Sequence, residues 1–316
     1  MKIHEQLFYN STRNGFMQTA IQLYIRTPEG IDQEVRSIVT AMFPESDFST
    51  YSQAFADVRR LYAGFYPGFQ QCDTPYHNWH HTLDVLLATA RLLHGIHLAR
   101  QALSPHIVQL TLIAALFHDC GYIRREDEHT GTGAQFTLDH VQRGLLLLED
   151  YSDTHHWPIM DLLDLDSMLQ CTAPSGTPET VVFTNIESML AAHVLATADI
   201  VAQMGSDIYL ERLPLLFKEL TEGGITDFSS EYDLFTKTRG FTSFMWSKME
   251  CRLSNVINCM PAHFKERYNI EHDFYSESAL RNLEYLESIL ARYGKEYSQG
   301  LRRSLNRSDH PIKHSG

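Results

Sequence analysis

One apolar segment constrains the fold of this chain more than any other. Residues 106–117, HIVQLTLIAALF, are apolar on almost every side of a helix, so they predict a helix at the centre of the protein. Ser104 and Pro105 are a suitable N-cap and first helical residue. His118 and Asp119 follow directly at the carboxyl end, where Gly121 is expected to end the helix.

Most of the chain shows helical periodicity, and alternation typical of β-strands is nearly absent, which predicts an all-α fold. The expected helices span residues 16–26, 31–43, 50–65, 81–98, 105–117, 134–150, 158–170, 183–204, 207–220, 229–258 with a break at Gly240, and 276–293. Pro28-Glu29-Gly30 is expected to separate the first two. We expect N-terminal helices (1–65) packed on a core (66–205), a C-terminal helical extension of the same domain (206–295) and a disordered tail (296–316).

Composition narrows the possible functions. The 316 residues carry a formal net charge of −13, which argues against binding to nucleic acid or to an anionic membrane surface. The five cysteines contain no CxxC pair and are interpreted as reduced thiols in a cytoplasmic protein. No signal-peptide pattern is present at the start, and no apolar run reaches the roughly 20 residues of a membrane-spanning helix.

Histidines and aspartates at three places in the chain suggest a metal site. The stretch YHNWHHTLDV (76–85) places His77 and His81 one helical turn apart. His118 and Asp119 are adjacent, and Asp199 lies among small residues in LATADI (195–200). A carboxylate on so apolar a helix is unfavourable unless it is paired or binds a metal. Two imidazoles and two carboxylates suit Mn, Fe, Co, Ni or Zn, and Mg less well.

These motifs resemble those of a known superfamily. His81, the His118-Asp119 doublet and Asp199 are similar to the H…HD…D signature of HD-domain metal-dependent phosphohydrolases. YHNWHHTLDV resembles the YHNxxHAxDV motif of the class I cyclic nucleotide phosphodiesterases, and the similarity covers about residues 70–205. The resemblance implies an HD-domain, phosphodiesterase-like helical bundle with peripheral helices at both ends.

The resemblance also implies roles for individual residues. His81, His118, Asp119 and Asp199 would bind the first of one or two divalent metal ions, and Asp119 would bridge to the second. His77 would protonate the leaving oxygen, a role for which an imidazole one turn from a ligand is suited. Asn78 and Asp84, which belong to the same motif, would orient the ligands through hydrogen bonds.

The chain departs from the phosphodiesterase pattern at two places. That family continues HDxxHxGxxN, whereas Tyr122 stands where its second histidine would be, before the charged insertion IRREDE. Glu128, His129 and His140 are therefore alternative candidates for the second metal or its waters. The glutamine-then-phenylalanine pattern that clamps a purine in the family is missing, so a nucleobase pocket is not supported.

The expected activity is hydrolysis of a phosphoester in a small, nucleotide-like substrate, by water that the metal activates. Arg124, Arg125 and Arg143 are candidates for binding the phosphate, with solvated surface charge as the alternative for each. A homodimer is a further expectation. Alternatives are a nucleotide monophosphatase or guanosine tetraphosphate hydrolase on the same metal core, a non-catalytic nucleotide-binding module, and an HD-type di-iron oxygenase, which would need more histidine ligands than can be assigned.

Overall fold

The computed structural model describes residues 27–99, 103–173 and 178–301, and within these ranges the fold is all-α. The described residues contain no β-strand, and Phe69 and Arg125 form one isolated antiparallel bridge. The α-helices are α1 (Pro28–Met42), α2 (Ser49–Tyr62), α3 (Trp79–Leu98), α4 (Pro105–Phe117), α5 (His140–Thr154), α6 (Ile159–Thr172), α7 (Ile186–Met204), α8 (Tyr209–Glu222), α9 (Glu231–Arg252), α10 (Met260–Tyr268) and α11 (Phe274–Tyr293).

Helix α4 is central, as its composition predicts. Every residue from Leu110 to Phe117 is buried, and the Ser104 hydroxyl accepts a hydrogen bond from the backbone N–H of Ile107 at the predicted N-cap. Helix α4 packs against α2, α3, α6 and α7. A helix that is apolar on all sides is fully buried only when other helices surround it. Helix α4 therefore lies at the centre of the bundle.

Helices α3 and α7 pack along each other and also contact α4. The first turn of α3, the carboxyl end of α4 and the last third of α7 carry the predicted metal ligands. The predicted 16–26 helix lies outside the described residues.

Several predicted boundaries were wrong. Helix α1 begins at Pro28 instead of following a break there, because Thr27 caps it by accepting a hydrogen bond from Gly30 and proline suits the first turn. Helix α4 ends at Phe117, and Gly121 lies within a 3-10 turn, Cys120–Tyr122. Helix α5 begins at His140, six residues later than predicted, because a 3-10 turn and a loop precede it.

The C-terminal part also differs from the prediction. Helix α9 continues through Gly240 and ends at Arg252, and the separate helix α10 was not predicted. The residues Gly294–Gly300 form a 3-10 helix with Tyr297 buried, so the expected disorder from residue 296 is wrong for these residues. The rest of that expected tail, from residue 302, lies outside the described residues.

Candidate metal centre

Three helix segments bring the predicted ligands together. His81 lies in the first turn of α3, which Asn78 caps by accepting hydrogen bonds from the N–H groups of His80 and His81. His118 caps the end of α4 and Asp119 follows it. Asp199 projects from α7. Each segment is fixed by the buried packing of its helix.

The ligand atoms converge on one small volume. His81 Nε2 lies 3.4 Å from Asp119 Oδ2 and 3.2 Å from Asp199 Oδ1. His118 Nε2 lies 3.2 Å from Asp119 Oδ2 and 3.9 Å from Asp199 Oδ1. Ligand atoms at about 2.1 Å from a common dication are about 3 Å apart when they are adjacent in its coordination sphere. The observed separations are close to this spacing.

The buried group His81, His118 and Asp119 could hold a metal ion. The His118 ring places Nδ1 2.9 Å from the carbonyl oxygen of Ala115, so Nδ1–H donates there and Nε2 is the ring atom that faces the cluster, where a metal would replace its proton. His118 Nε2 and Asp119 Oδ2 are both buried and have no hydrogen-bond partner. Buried polar atoms left without partners are costly, and a dication would satisfy both. The donor set therefore fits a divalent metal ion.

Electrostatics in the cluster favour charged groups. Burial lowers the pKa of His118, but the Asp119 and Asp199 carboxylates outweigh it and raise that pKa to about 9. Burial opposes ionisation of Asp119, yet the neighbouring His118, His77 and His81 imidazoles hold its pKa well below the usual value. The pKa of Asp199 is lowered as well, because its bond to His81 and the charge of His118 overcome burial. The carboxylates are thus ionised and available as ligands.

His77, the predicted proton donor, is held by Glu219, a residue that sequence reasoning missed. His77 Nδ1 lies 2.5 Å from Glu219 Oε2, and the ring centroids of His77 and His81 are 5.7 Å apart. The other oxygen of Glu219 accepts hydrogen bonds from the N–H groups of Tyr76 (2.5 Å) and His77 (3.3 Å). Burial lowers the pKa of His77, but Glu219 and Asp119 outweigh it, and the net change is upward.

Helix α8 fixes the segment that carries His77 at two points. Arg212, two turns before Glu219 on the same helix, donates to the carbonyl oxygen of Tyr76 at 2.5 Å and lies over the Tyr76 ring, 4.6 Å from its centroid. Both side chains are buried, with Glu219 only 1% exposed. Arg212 and Glu219 are seven residues apart, so the sequence places them on one face of a helix, but it does not show the partner segment, which lies more than 130 residues earlier.

Tyr122 and His140 complete the wall of the site. Tyr122 stacks between two imidazoles, with ring centroids 4.5 Å from His77 and 4.4 Å from His140. His140 Nδ1 donates to the carbonyl oxygen of Thr137 at 2.8 Å, and its Nε2 lies 3.8 Å from Asp119 Oδ1. Of the three candidates for a second metal or its waters, His140 is the one that reaches the cluster.

The other two candidates do not reach it. Both carboxylate oxygens of Glu128 are engaged by Arg143 at 2.8 Å, and one of them also accepts from the Arg125 N–H. His129 is exposed in the loop after the charged insertion, outside the group of potential ligands. A role of Glu128 or His129 at a second metal stays a prediction that these positions do not favour.

The predicted phosphate-binding arginines have other partners. Arg124 pairs with Asp73 at 2.7 Å, and Arg143 pairs with Glu128 and donates to the carbonyl oxygen of Gly121 at 2.9 Å. The Arg125 side chain is exposed in a cleft that the metal ligands do not line. Arg124 and Arg143 are thus engaged by carboxylates, and phosphate binding by any of the three arginines stays a prediction.

Asn78 and Asp84 support the site in ways that differ from the prediction. The prediction gave Asn78 a hydrogen bond to a ligand side chain. Its side chain instead accepts a hydrogen bond from the backbone N–H of His81 and so caps the helix. Asp84 lies 3.9 Å from Arg212, so it acts on the junction between α3 and α8. Asn78 and Asp84 each lie about one helical turn from His81 and help to position the segment that carries it.

Comparisons with family models, with curated proteins and with solved structures found no match to this chain. Among the described residues, none of the helices combines the length and the apolar character needed to cross a bilayer.

Proposed function

We propose that the protein is a metal-dependent phosphohydrolase that cleaves a phosphoester bond in a small nucleotide or cyclic nucleotide-like substrate. The observation that carries the proposal is the buried group of His81, His118 and Asp119, with Asp199 3.2 Å from His81 and His77 beside them. His118 Nε2 and Asp119 Oδ2 form no hydrogen bond, which supports a role in binding a cation.

His81, His118, Asp119 and Asp199 would hold the metal, and His140 Nε2 lies 3.8 Å from Asp119 Oδ1. A dication bound there supplies Lewis acidity and lowers the pKa of water toward about 7. The buried helix ends that carry these four side chains keep their donor atoms in place before substrate arrives, which reduces the reorganisation needed for reaction.

His77 would protonate the leaving oxygen. Glu219 accepts the Nδ1 proton, so Nε2–H is the group left to donate. The carboxylates of Glu219 and Asp119 raise the pKa of His77, which favours the protonated imidazole that a general acid requires. Tyr122 stacks on one face of the ring and limits its rotation.

The substrate class within the phosphoesters stays open between cyclic nucleotides, nucleoside monophosphates and guanosine tetraphosphate. The alternative to an enzyme is a non-catalytic module that binds a nucleotide. The His77–Glu219 pair favours catalysis, because the carboxylate orients an imidazole that lies beside the ligands and is not itself one of them.

The test is hydrolysis of bis-p-nitrophenyl phosphate by the full chain with added Mn²⁺, compared with His77→Ala. We expect turnover in the wild type, and a loss of about 10²–10⁴-fold in the variant at unchanged metal content. Absence of turnover with this ester, cyclic AMP, nucleoside monophosphates and guanosine tetraphosphate, in a protein that binds metal, would instead support the non-catalytic module.

A further inference from the structure

The charged insertion that interrupts the phosphodiesterase-like pattern forms a fixed loop. The N–H of Gln70 donates to the carbonyl oxygen of Arg124 at 2.8 Å, and the N–H of Glu126 donates to that of Gly68 at 3.0 Å. The Arg124–Asp73 ion pair at 2.7 Å adds a third attachment. The loop is therefore held in place by the rest of the fold before any ligand binds.

A cleft of ≈ 380 Å³ lies between this loop and α5. Its apolar surface comes from Phe69, Ile123, Leu146 and Leu147, and Leu146 is 46% exposed although it is a leucine. His77 and the four ligand side chains do not line it. The volume falls within the range of small-molecule sites in proteins, roughly 300–1,000 Å³.

Only some of the charged side chains around the cleft form an ion pair with each other. Glu128 is neutralised by Arg143, and Asp127 stands exposed at the rim. Arg125 also lines the cleft, and its charge helps that of Arg143 to lower the pKa of Glu128, but within the described part of the chain its side chain forms no ion pair at contact distance. A guanidinium presents several donors in a planar fork that suits carboxylates, sulfonates and phosphates.

The cleft shares a wall with the metal centre. Cys120 and Gly121, which follow Asp119 directly, line the cleft on one side. Gly121 packs so tightly against α5 that a Cβ there would lie 1.8 Å from the carbonyl oxygen of His140. A molecule in the cleft would thus contact the turn that positions both Asp119 and His140.

We propose that this cleft is a second ligand site, separate from the metal centre, for a small organic anion with an apolar body. The anionic group pairs with Arg125, and the apolar body lies on Leu146 and its neighbours. An anion held beside the Cys120–Tyr122 turn adds negative charge next to the metal centre and thereby raises the affinity of that centre for a dication.

The binding test uses 8-anilinonaphthalene-1-sulfonate, a fluorescent anion with an apolar body, titrated into the metal-free full chain. We expect saturable binding that weakens at least about fivefold in Arg125→Gln and in Leu146→Glu, a difference of about 1 kcal/mol. The matched controls are Arg292→Gln and Leu280→Glu, an exposed arginine and leucine on α11, which should bind as the wild type does. Equal affinity in all five proteins, or equal losses in test and control variants, would overturn the assignment.

The coupling test measures Mn²⁺ affinity by calorimetry with and without saturating dye. We expect the dye to tighten Mn²⁺ binding about fivefold in the wild type and not in Arg125→Gln. An unchanged Mn²⁺ affinity in the wild type would refute the coupling. Both readouts measure binding alone, so they can fail or succeed independently of the proposed hydrolysis.

Discussion

Replacement of Glu219 by glutamine tests the contact that holds the proposed acid. Glutamine keeps an oxygen for the Tyr76 N–H but removes the charge that faces His77 Nδ1 at 2.5 Å. One charge-assisted hydrogen bond between buried groups is lost, and such bonds contribute about 1.5–3 kcal/mol. We therefore expect Glu219→Gln to lower the free energy of unfolding by about 2 kcal/mol.

The size of this loss should depend on pH. Because the folded pKa of His77 lies above the ordinary value of 6.5, its contribution to stability is complete below pH 6.5. That contribution fades as pH rises through the raised folded pKa. The difference between wild type and Glu219→Gln should therefore be larger at pH 6 than at pH 9.

Urea denaturation followed by circular dichroism at both pH values measures the difference. Glu222→Gln, one turn later on α8, is the matched control, because that carboxylate binds Thr132 at the surface and its loss should cost little. In the hydrolysis assay, Glu219→Gln should move the alkaline limb of the rate profile to lower pH without changing metal content. Unfolding and pH profiles equal to those of the control would refute the role given to Glu219.

Further predictions concern the turn after the ligands and a buried histidine pair. Gly121→Ala should lower the free energy of unfolding by several kcal/mol and also lower metal content, because its Cβ would lie 1.8 Å from the carbonyl oxygen of His140. The control is Gly240→Ala in α9, where open space surrounds the position. This variant should raise the free energy of unfolding by about 1 kcal/mol, measured by thermal unfolding. The Nδ1 atoms of His94 and His263 lie 3.0 Å apart between α3 and α10, and burial together with nearby arginines lowers their pKa values to about 4 and about 2. The unfolded chain therefore takes up protons on these histidines below pH 6.5 while the folded chain does not, so stability should fall from pH 6.5 toward pH 4, and His94→Gln should flatten that slope in urea denaturation. A slope unchanged by His94→Gln would contradict this assignment.

The central part of the site was predictable because local patterns encode it. The apolar segment before His118 identifies a buried helix, and a carboxylate and imidazole at its end must lie in the core. His81 and Asp199 each stand on an apolar helix where a polar side chain needs a partner. The all-α fold followed from periodicity in the same way.

The remaining parts depend on contacts between distant segments. Glu219 meets His77 across 142 residues of sequence, and no local pattern specifies that pairing. The positions of Glu128 and His129 could not be predicted, because the position of a loop depends on its attachments, such as the bridge between Phe69 and Arg125. The partners of the arginines were unpredictable for a related reason, since a sequence does not show that Asp73 pairs with Arg124 and Glu128 with Arg143.

The most direct test of the metal centre is calorimetric titration of Mn²⁺ into the metal-free full chain. The wild type should bind at least one ion, and His118→Ala and Asp119→Ala should each abolish that binding, because each removes a ligand atom left without a protein partner. His106→Ala, at the exposed opposite end of α4, should bind as the wild type does. Binding retained in both ligand variants, or absent from the wild type, would contradict the assignment of this cluster as a metal centre.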